Sequence, residues 1–213
     1  MTKNRQTKET PVAALAGNPN VGKSTIFNAL TGMRQHTGNW PGKTVSLAQG
    51  VCVYKGEEIR LVDLPGTYAL VSKSQEEILA AGFISGGEAD CVIAVCDATS
   101  LERSLILALQ VMELTDRVIV CVNLMDEARK KHIRIDLAAL SFELGVPVVA
   151  ASASREEGMG ELLEQLRRIL DGFEAPRPRR CGVVPNSIRE SHLGAEALRG
   201  ASGRASDEIA AQF

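Results

Sequence analysis

Apolar residues in this chain form short continuous runs, and these runs are separated by stretches with helical periodicity. Residues 12–16, 91–96 and 118–122 are entirely apolar. Runs of this length without alternation are typical of strands buried on both faces of a parallel sheet. Between the last two runs, large apolar residues recur at helical spacing, which predicts a helix packed on the sheet: Leu101, Leu105, Leu109 and Met112.

The remaining pattern completes an alternation of strands and helices. Residues 45–54 and 58–62 predict two strands joined by a tight turn at residues 55–56. Residues 146–150 predict a last strand, and residues 160–170 predict a closing helix. The alternation predicts a doubly wound α/β fold: a mostly parallel sheet of about six strands, with helices on both faces and a ligand at the carboxyl ends of the strands.

The chain divides into three regions by composition. Residues 1–11 are polar and are expected to form a flexible N-terminus, whereas residues 12–172 are expected to form one folded domain. Residues 173–213 are interpreted as a basic linker and a solvated tail, or as the start of a helical domain. Within the domain, residues 33–43 contain turn residues and no periodicity, which predicts a functional loop.

Composition and charge narrow the class of protein. Hydrophobic residues make up 45% of the chain but aromatics only 4%, so the core must be aliphatic. The formal net charge of −2 offers no general attraction to nucleic acid, and no nucleic-acid partner is expected. The five cysteines include no C-x-x-C pair, which favours buried thiols in a reducing compartment over a metal site. No signal core and no apolar run of about eighteen residues is present, so this chain is expected to be soluble and cytoplasmic.

Residues 17–24 match G-x-x-x-x-G-K-[ST], the phosphate-binding loop of nucleoside triphosphatases. Gly17 and Gly22 allow the backbone to curl so that its N–H groups surround an anion at the start of a helix. Lys23 is expected to reach the β- and γ-phosphates, and the Ser24 hydroxyl is expected to bind Mg²⁺. The nucleotide contacts predicted here are Gly17, Asn18, Pro19, Asn20, Val21, Gly22, Lys23, Ser24 and Thr25.

A second motif follows the predicted hairpin. Asp63 stands at the end of an apolar strand and begins the sequence Asp63-Leu64-Pro65-Gly66. An aspartate in this position is typical of the Walker B arrangement, which holds Mg²⁺ directly or through water. The N–H of Gly66 is expected to touch the γ-phosphate, so that the following segment senses hydrolysis.

A third motif predicts the base. In Asn123-Leu124-Met125-Asp126, at the tip of another strand, the Asp126 carboxylate can accept two hydrogen bonds from a guanine edge, for which adenine has no matching donors. The usual motif has lysine at the position of Leu124. The alternative is that Asp126 only caps the next helix. Downstream, guanine O6 is expected to meet the backbone of Ala151, Ser152 and Ala153.

Together these motifs resemble the Era-like P-loop GTPases, and further residues narrow the resemblance. The sequence Gly38-Asn39-Trp40-Pro41-Gly42-Lys43-Thr44-Val45, with D-L-P-G-T-Y after the hairpin and the N-x-M-D variant, is similar to the cytosolic G domain of the FeoB family, bacterial ferrous iron transporters. The resemblance covers about residues 12–170. The rival interpretation is a ribosome- or RNA-associated assembly GTPase of the Era-like kind, which would need a basic RNA-binding appendage.

The resemblance implies a Mg²⁺-dependent GTPase that alternates between GTP and GDP. Lys23, Thr44 and Gly66 would act in hydrolysis, with Thr44 binding Mg²⁺ and the γ-phosphate together with Ser24 and Asp63. It implies a K⁺ ion held by Asn20 and by carbonyls of Gly38 and Trp40, unless Asn20 only braces the loop. It also implies a downstream membrane permease, a place at the cytoplasmic face of the inner membrane, and self-association. Thr67 replaces the water-orienting glutamine of Ras-like proteins, so slow hydrolysis is expected.

Overall fold

The structure is a computed structural model that describes residues 10–32, 35–39, 46–70, 74–173 and 176–182, with only the backbone of residues 35–39 and 46. Strands and helices alternate along most of it. In chain order the elements are β1 Val12–Gly17, α1 Lys23–Thr31, β2 Gln35–Asn39, β3 Ser46–Tyr54, β4 Glu57–Asp63, α2 Gln75–Ser85, β5 Cys91–Asp97, α3 Leu101–Leu114, β6 Val118–Asn123, α4 Met125–Lys130, α5 Leu137–Leu144, β7 Val148–Ala150 and α6 Met159–Leu170.

The strands form one sheet in the order β2-β3-β4-β1-β5-β6-β7. The pairs from β4 to β7 are parallel, whereas β2 and β3 pair in the antiparallel sense at one side. Parallel register places Leu15 beside Asp63 and Asp97 beside Asn123, so the carboxyl ends of β1, β4, β5 and β6 share one edge. The predicted doubly wound, mostly parallel fold is confirmed.

The description of residues 33–43 as a loop is wrong for its middle part. Gln35–Asn39 form strand β2, which pairs with β3 and brings Gly38 opposite Leu47. This strand raises the described sheet to seven strands instead of about six. The sequence Gln-His-Thr-Gly-Asn has no apolar alternation, and its pairing rests on backbone hydrogen bonds, which leave no signal in the side-chain pattern.

Two hydrophobic cores lie on the two faces of the sheet. Successive residues of β1 alternate between them, with Leu15 in one and Ala14 in the other. The first core is completed by α1 and α6, for example Phe27 and Leu166, and the second by α2, α3 and α5, for example Met112. Both faces are therefore covered, which is the reason that the central strands are apolar throughout.

Helix ends follow the local signals in the sequence. Ser74 and Glu77 form a capping box at the start of α2, and the Asp136 carboxylate accepts the Ala139 N–H (2.9 Å) at the start of α5. Gly145, at φ 72°, ends α5. Among the described residues, no helix combines the length and the apolar character needed to cross a bilayer.

The described part of the basic linker, residues 176–182, lies against the domain, and we call it the strap. The Arg177 N–H donates to the Gly145 carbonyl (3.0 Å), and the Arg179 N–H donates to the Leu144 carbonyl (2.9 Å). Although most strap residues remain exposed, these bonds fix them to the end of α5. Residues 183–213 lie outside the described residues, so the interpretation of residues 173–213 as a basic linker and tail stays a prediction.

Candidate functional site

The phosphate loop joins β1 to α1 at the shared edge of the sheet. Gly22 has φ 82°, and a Cβ there would collide with Nδ2 of Asn123. A Cβ on Gly17 would lie 2.8 Å from the Val95 carbonyl oxygen. Both positions therefore require glycine for space, and Gly22 also requires it for its backbone conformation. The loop, the start of α1 and Gly66 line an open cavity of about 530 Å³.

Lys23, Ser24 and Asp63 meet at one side of this cavity. The Lys23 ammonium forms an ion pair with Oδ1 of Asp63, and the Ser24 hydroxyl donates to Oδ2 (3.0 Å). The side chains of Lys23 and Asp63 are only 10% and 11% exposed. The sequence motifs of β1–α1 and β4 are thus joined directly by these side chains.

The segment after Asp63 is attached to the phosphate loop by its backbone. The Leu64 N–H donates to the Leu15 carbonyl (3.0 Å), and the Thr67 N–H donates to the Gly17 carbonyl (3.3 Å). A Cβ on Gly66 would lie 3.3 Å from backbone atoms of Pro19, so Gly66 packs closely on the loop. A movement of this segment would therefore also displace the phosphate loop.

Asn123 holds two loops together through its side-chain amide. Its Nδ2 donates to the Val21 carbonyl (3.0 Å), and its Oδ1 accepts the Ala153 N–H (3.0 Å). Because Asn123 is 1% exposed, both bonds are shielded from water. Both polar atoms of the Asn123 side-chain amide thus bind groups of the protein itself, and these bonds hold the phosphate loop and the loop after β7 in position.

Asp126 is the carboxylate that the sequence predicts to bind the base. Its N–H donates to the Ser152 hydroxyl (3.2 Å), and its Oδ2 lies 3.5 Å from Nε of Arg155. Its Oδ1 is shielded from solvent and has no hydrogen-bond partner among the described residues. The capping alternative is wrong, since α4 has Leu124 at its N-cap position, with φ 63°, and receives no side-chain cap bond.

The segment Ala151–Ser152–Ala153 is buried beside Asn123 and Asp126. Its three N–H groups donate within the protein: Ala151 to the Val122 carbonyl (2.8 Å), Ser152 to the Glu157 carbonyl (3.1 Å) and Ala153 to Asn123. A contact from this backbone to guanine O6 would therefore require an N–H to share or exchange its acceptor. The predicted contact stays a prediction.

Several predicted residues are described only in part or not at all. Thr44 and Trp40 lie outside the described residues. Gly38 is described through its backbone in β2. Asn20 is exposed at the mouth of the loop with φ 66°, a left-handed conformation that asparagine tolerates better than most residues.

Two contributing residues were not singled out from the sequence. Arg155 lies beside Asp126, and Gln110 of α3 accepts the Leu70 N–H (2.7 Å) from a buried position, which anchors the segment after Gly66. A glutamine on the apolar face of a predicted helix is a signal that could have identified Gln110. No pattern in the sequence indicates Arg155.

Comparisons with known proteins show the family of this chain. The sequence model of a family described as ferrous iron transport protein B matches residues 11–166. The Fe(2+) transporter FeoB of Escherichia coli (strain K12) is 44% identical over 165 residues, which are 76% of this chain and 21% of that protein. The chain thus spans about a fifth of the length of the curated relatives it matches.

Solved structures agree in fold and in sequence. The crystal structure of the G domain of T. maritima FeoB is 45% identical with a TM-score of 0.70, and the match covers 75% of this chain and 98% of that one. The cytosolic domain of T. maritima FeoB in its GMPPNP form is 43% identical with a TM-score of 0.73, covering 80% and 66%. This chain therefore belongs to the ferrous iron transport protein B (FeoB) family and corresponds to its G domain.

Proposed function

We propose that this chain binds GTP and GDP, hydrolyses GTP slowly, and acts as the nucleotide switch of a ferrous iron transporter. The observation that carries the proposal is Oδ1 of Asp126, a buried acceptor with no hydrogen-bond partner among the described residues. Asp126 lies three residues after Asn123, whose amide binds the phosphate loop. Guanine offers the donor pair that a carboxylate needs, whereas adenine would leave it unpaired. A relative with this fold, the cytosolic domain of T. maritima FeoB, has been crystallised with GMPPNP.

The phosphates would occupy the cavity of the phosphate loop. Loop N–H groups and the start of α1 would bind the anion, and the phosphates would compete with Asp63 for the Lys23 ammonium. Ser24 and Asp63 carry oxygen ligands of the kind that Mg²⁺ prefers, and their side chains are in contact (3.0 Å), so both could hold the same ion. Bound Mg²⁺ would neutralise charge on the β- and γ-phosphates.

Hydrolysis is proposed to be slow because no side chain in the described site is placed to orient the attacking water. Thr67 takes the position of the Ras glutamine but is 5% exposed, with its N–H bonded to Gly17. The proposed roles are charge neutralisation by Lys23, a γ-phosphate contact from the Gly66 N–H, and binding of Mg²⁺ and the γ-phosphate by Thr44.

A potassium ion is proposed as a further cofactor. The Asn20 side chain is exposed at the cavity and carries an oxygen suited to a monovalent cation, and the carbonyls of Gly38 and Trp40 are the other proposed protein ligands. The alternative is that Asn20 only braces the loop. No side-chain hydrogen bond of Asn20 is present in the described part of the chain.

The proposed partner is a membrane permease portion of the same protein, and the proposed location is the cytoplasmic face of the inner membrane. The E. coli relative is a Fe(2+) transporter of which this chain matches about a fifth. Self-association is proposed as well. The RNA-associated alternative is not favoured, since the strap arginines Arg179 and Arg180 are paired with Glu143 and Asp116.

Competition binding tests the proposal. A fluorescent GDP analogue is displaced by unlabelled GTP, GDP or ATP in the presence of Mg²⁺. We expect GTP and GDP to displace it at concentrations at least ~10³-fold lower than ATP, because a site built for polar readout rejects a base that leaves its acceptors unpaired. Equal displacement by ATP would show that the assignment of Asp126 is wrong.

A further inference from the structure

The two carboxylate oxygens of Asp126 have different surroundings. Oδ1 is buried without a hydrogen-bond partner among the described residues, whereas Oδ2 lies 3.5 Å from Nε of Arg155. The Asp126 side chain is 9% exposed, but the Arg155 side chain is 54% exposed. One oxygen is thus available to a ligand, and the other already has a cationic neighbour that is open to solvent.

The position of Arg155 is fixed by the turn that follows β7. The Arg155 N–H donates to the Ser152 carbonyl (2.8 Å), and Ser152 pairs with Glu157 across the turn. The Ser152 hydroxyl also accepts the Asp126 N–H (3.2 Å). Because the same serine holds both Asp126 and the turn, the backbone of Arg155 stays close to the carboxylate.

The contact between Arg155 and Asp126 is weak enough to be exchanged. A separation of 3.5 Å exceeds the 2.7–3.2 Å of an N–H···O hydrogen bond. Ion pairs with a mostly exposed arginine typically contribute about 0.2–1 kcal/mol. A ligand donor that approaches Oδ2 would therefore compete with Arg155 at a modest but measurable cost.

Guanine and hypoxanthine differ in whether they need the second oxygen. Guanine presents two donors, N1–H and the exocyclic amine at C2, which together match both carboxylate oxygens. Hypoxanthine presents N1–H only. Oδ1 is sufficient for hypoxanthine, but guanine must also bind the oxygen that Arg155 faces.

We propose that Arg155 is a specificity-determining residue that competes with the exocyclic amine of guanine for Oδ2 of Asp126. Arg155 thereby weakens the preference of the site for guanine over hypoxanthine nucleotides. The inference rests on the proposed function, because it assumes that Asp126 binds the base. It adds a residue that sets how strongly guanine is preferred over hypoxanthine.

The test compares dissociation constants of GDP and IDP for the parent and for Arg155→Met, by displacement of a fluorescent GDP analogue. Methionine keeps the length of the side chain but removes its charge and its donors. We expect GDP to bind about 1.4- to fivefold more tightly to the variant, the factor that corresponds to the free energy of an exposed ion pair. The dissociation constant of IDP should change much less, so the ratio of the two constants widens.

The matched control is Arg129→Met. Arg129 is exposed, lies in α4 and pairs with Glu157 (3.1 Å), so its removal changes the net charge by the same amount close to the same turn. A general electrostatic effect on the diphosphate would shift GDP and IDP equally in both variants. We expect the GDP-to-IDP ratio of the control to equal that of the parent.

Salt dependence of the parent and of Arg155→Met gives a second readout. Salt screens an exposed ion pair, so the GDP preference of the parent should rise with NaCl towards the Arg155→Met value, and that of Arg155→Met should stay constant. Equal changes for GDP and IDP, no change, or weaker GDP binding in Arg155→Met would each overturn the inference. If the parent bound neither GDP nor IDP, the proposed function itself would fail, which is a different result.

Discussion

Asn123 shows how one side chain can hold two loops of the candidate site together. Its amide joins the Val21 carbonyl in the phosphate loop to the Ala153 N–H in the loop after β7. Both partners are backbone groups, and the residue is 1% exposed, so removal of the side chain would leave two buried polar groups unpaired. The Asn123 amide therefore connects the phosphate loop to the loop after β7.

The first prediction concerns the base specificity of Asp126. Asp126→Asn should weaken GDP binding about a hundredfold or more, because hydrogen bonds to a charged group contribute about 1.5–3 kcal/mol each. The same variant should bind XDP more tightly than the parent does, since an amide can accept from xanthine N1–H and donate to the carbonyl at C2. Displacement of a fluorescent GDP analogue by GDP and XDP measures both.

The control for that variant is Asp136→Asn, which makes the same charge change at the start of α5, where Asp136 accepts the Ala139 N–H. It should leave the ratio of GDP to XDP affinity unchanged. An unchanged ratio in Asp126→Asn as well would mean that this carboxylate does not contact the base.

At this scale some contacts within the candidate site could be predicted from the sequence and others could not. Lys23 and Asp63 belong to contiguous motifs at the ends of apolar runs, so their meeting at one sheet edge could be predicted. The bonds of Asn123 could not, because its partners lie 102 and 30 residues away and are backbone groups of any residue type. Arg155 was missed because no sequence pattern links it to Asp126, which lies in a different loop.

The strap packs on the domain although it lies outside the expected domain bounds, residues 12–172. Besides its backbone bonds to α5, the Arg180 guanidinium binds Asp116 (2.6 Å), and the Gly182 N–H donates to the Glu113 carboxylate (2.6 Å). Proline, arginine and glycine give no periodic pattern, which is why the sequence indicated only a linker. Strand β2 was missed likewise, since both segments are held mainly through their backbones.

The second prediction tests whether the strap packs on α5 in solution. A Cβ on Gly145 would collide with the Arg177 carbonyl, and Gly145 also has φ 72°. Gly145→Ala should therefore lower the free energy of unfolding by the ~1–2 kcal/mol of a left-handed alanine and by the further cost of displacing the strap. In a chain that ends at residue 175, only the first part should remain.

Gly87→Ala is the matched control, because Gly87 has φ 72° and nothing within 4 Å of its added Cβ. Its cost should be the same in both chain lengths. Urea unfolding of the six proteins, each parent and its two variants, gives the coupling between Gly145 and the strap. A coupling of zero would mean that the strap does not rest on Gly145.

Over the whole molecule, the two cores determine the chemistry of the cysteines. All five are free, and only Cys181 in the strap is exposed. Burial raises the pKa of Cys52 to about 11 and those of Cys91 and Cys96 to about 12, and it raises the pKa of Cys121 as well. The composition predicted buried thiols, but only the fold shows that four thiolates are suppressed together.

The third prediction follows from these pKa values. A thiol reagent at pH 8 should modify one cysteine per chain rapidly, and Cys181→Ser should abolish that reaction. Because the folded pKa values exceed those of the unfolded chain, the thiols contribute stability that is fully present below about pH 8.5 and is lost as the pH rises towards 11–12. The urea midpoint should fall across this window, and it should fall less in Cys121→Ala. Rapid modification of several thiols at pH 8 would contradict the burial.

The last prediction concerns what the whole site uses in place of an arginine finger. An arginine in that role accelerates GTP hydrolysis by roughly 10³–10⁵ elsewhere, and a monovalent cation between the β- and γ-phosphates would neutralise the same charge. Asn20, a phosphate-loop residue exposed at the cavity with φ 66°, is one proposed ligand of this cation. Gly38, another proposed ligand, lies in β2, three strands away from β1 in the sheet. We expect GTP hydrolysis to be faster in KCl than in NaCl at equal ionic strength, and this difference to disappear in Asn20→Ala while GDP binding is retained. A parent rate that is indifferent to the cation would exclude the potassium site. Stimulation that survives in Asn20→Ala would place the ion on other ligands, and a loss of GDP binding together with the stimulation would instead support a bracing role for Asn20.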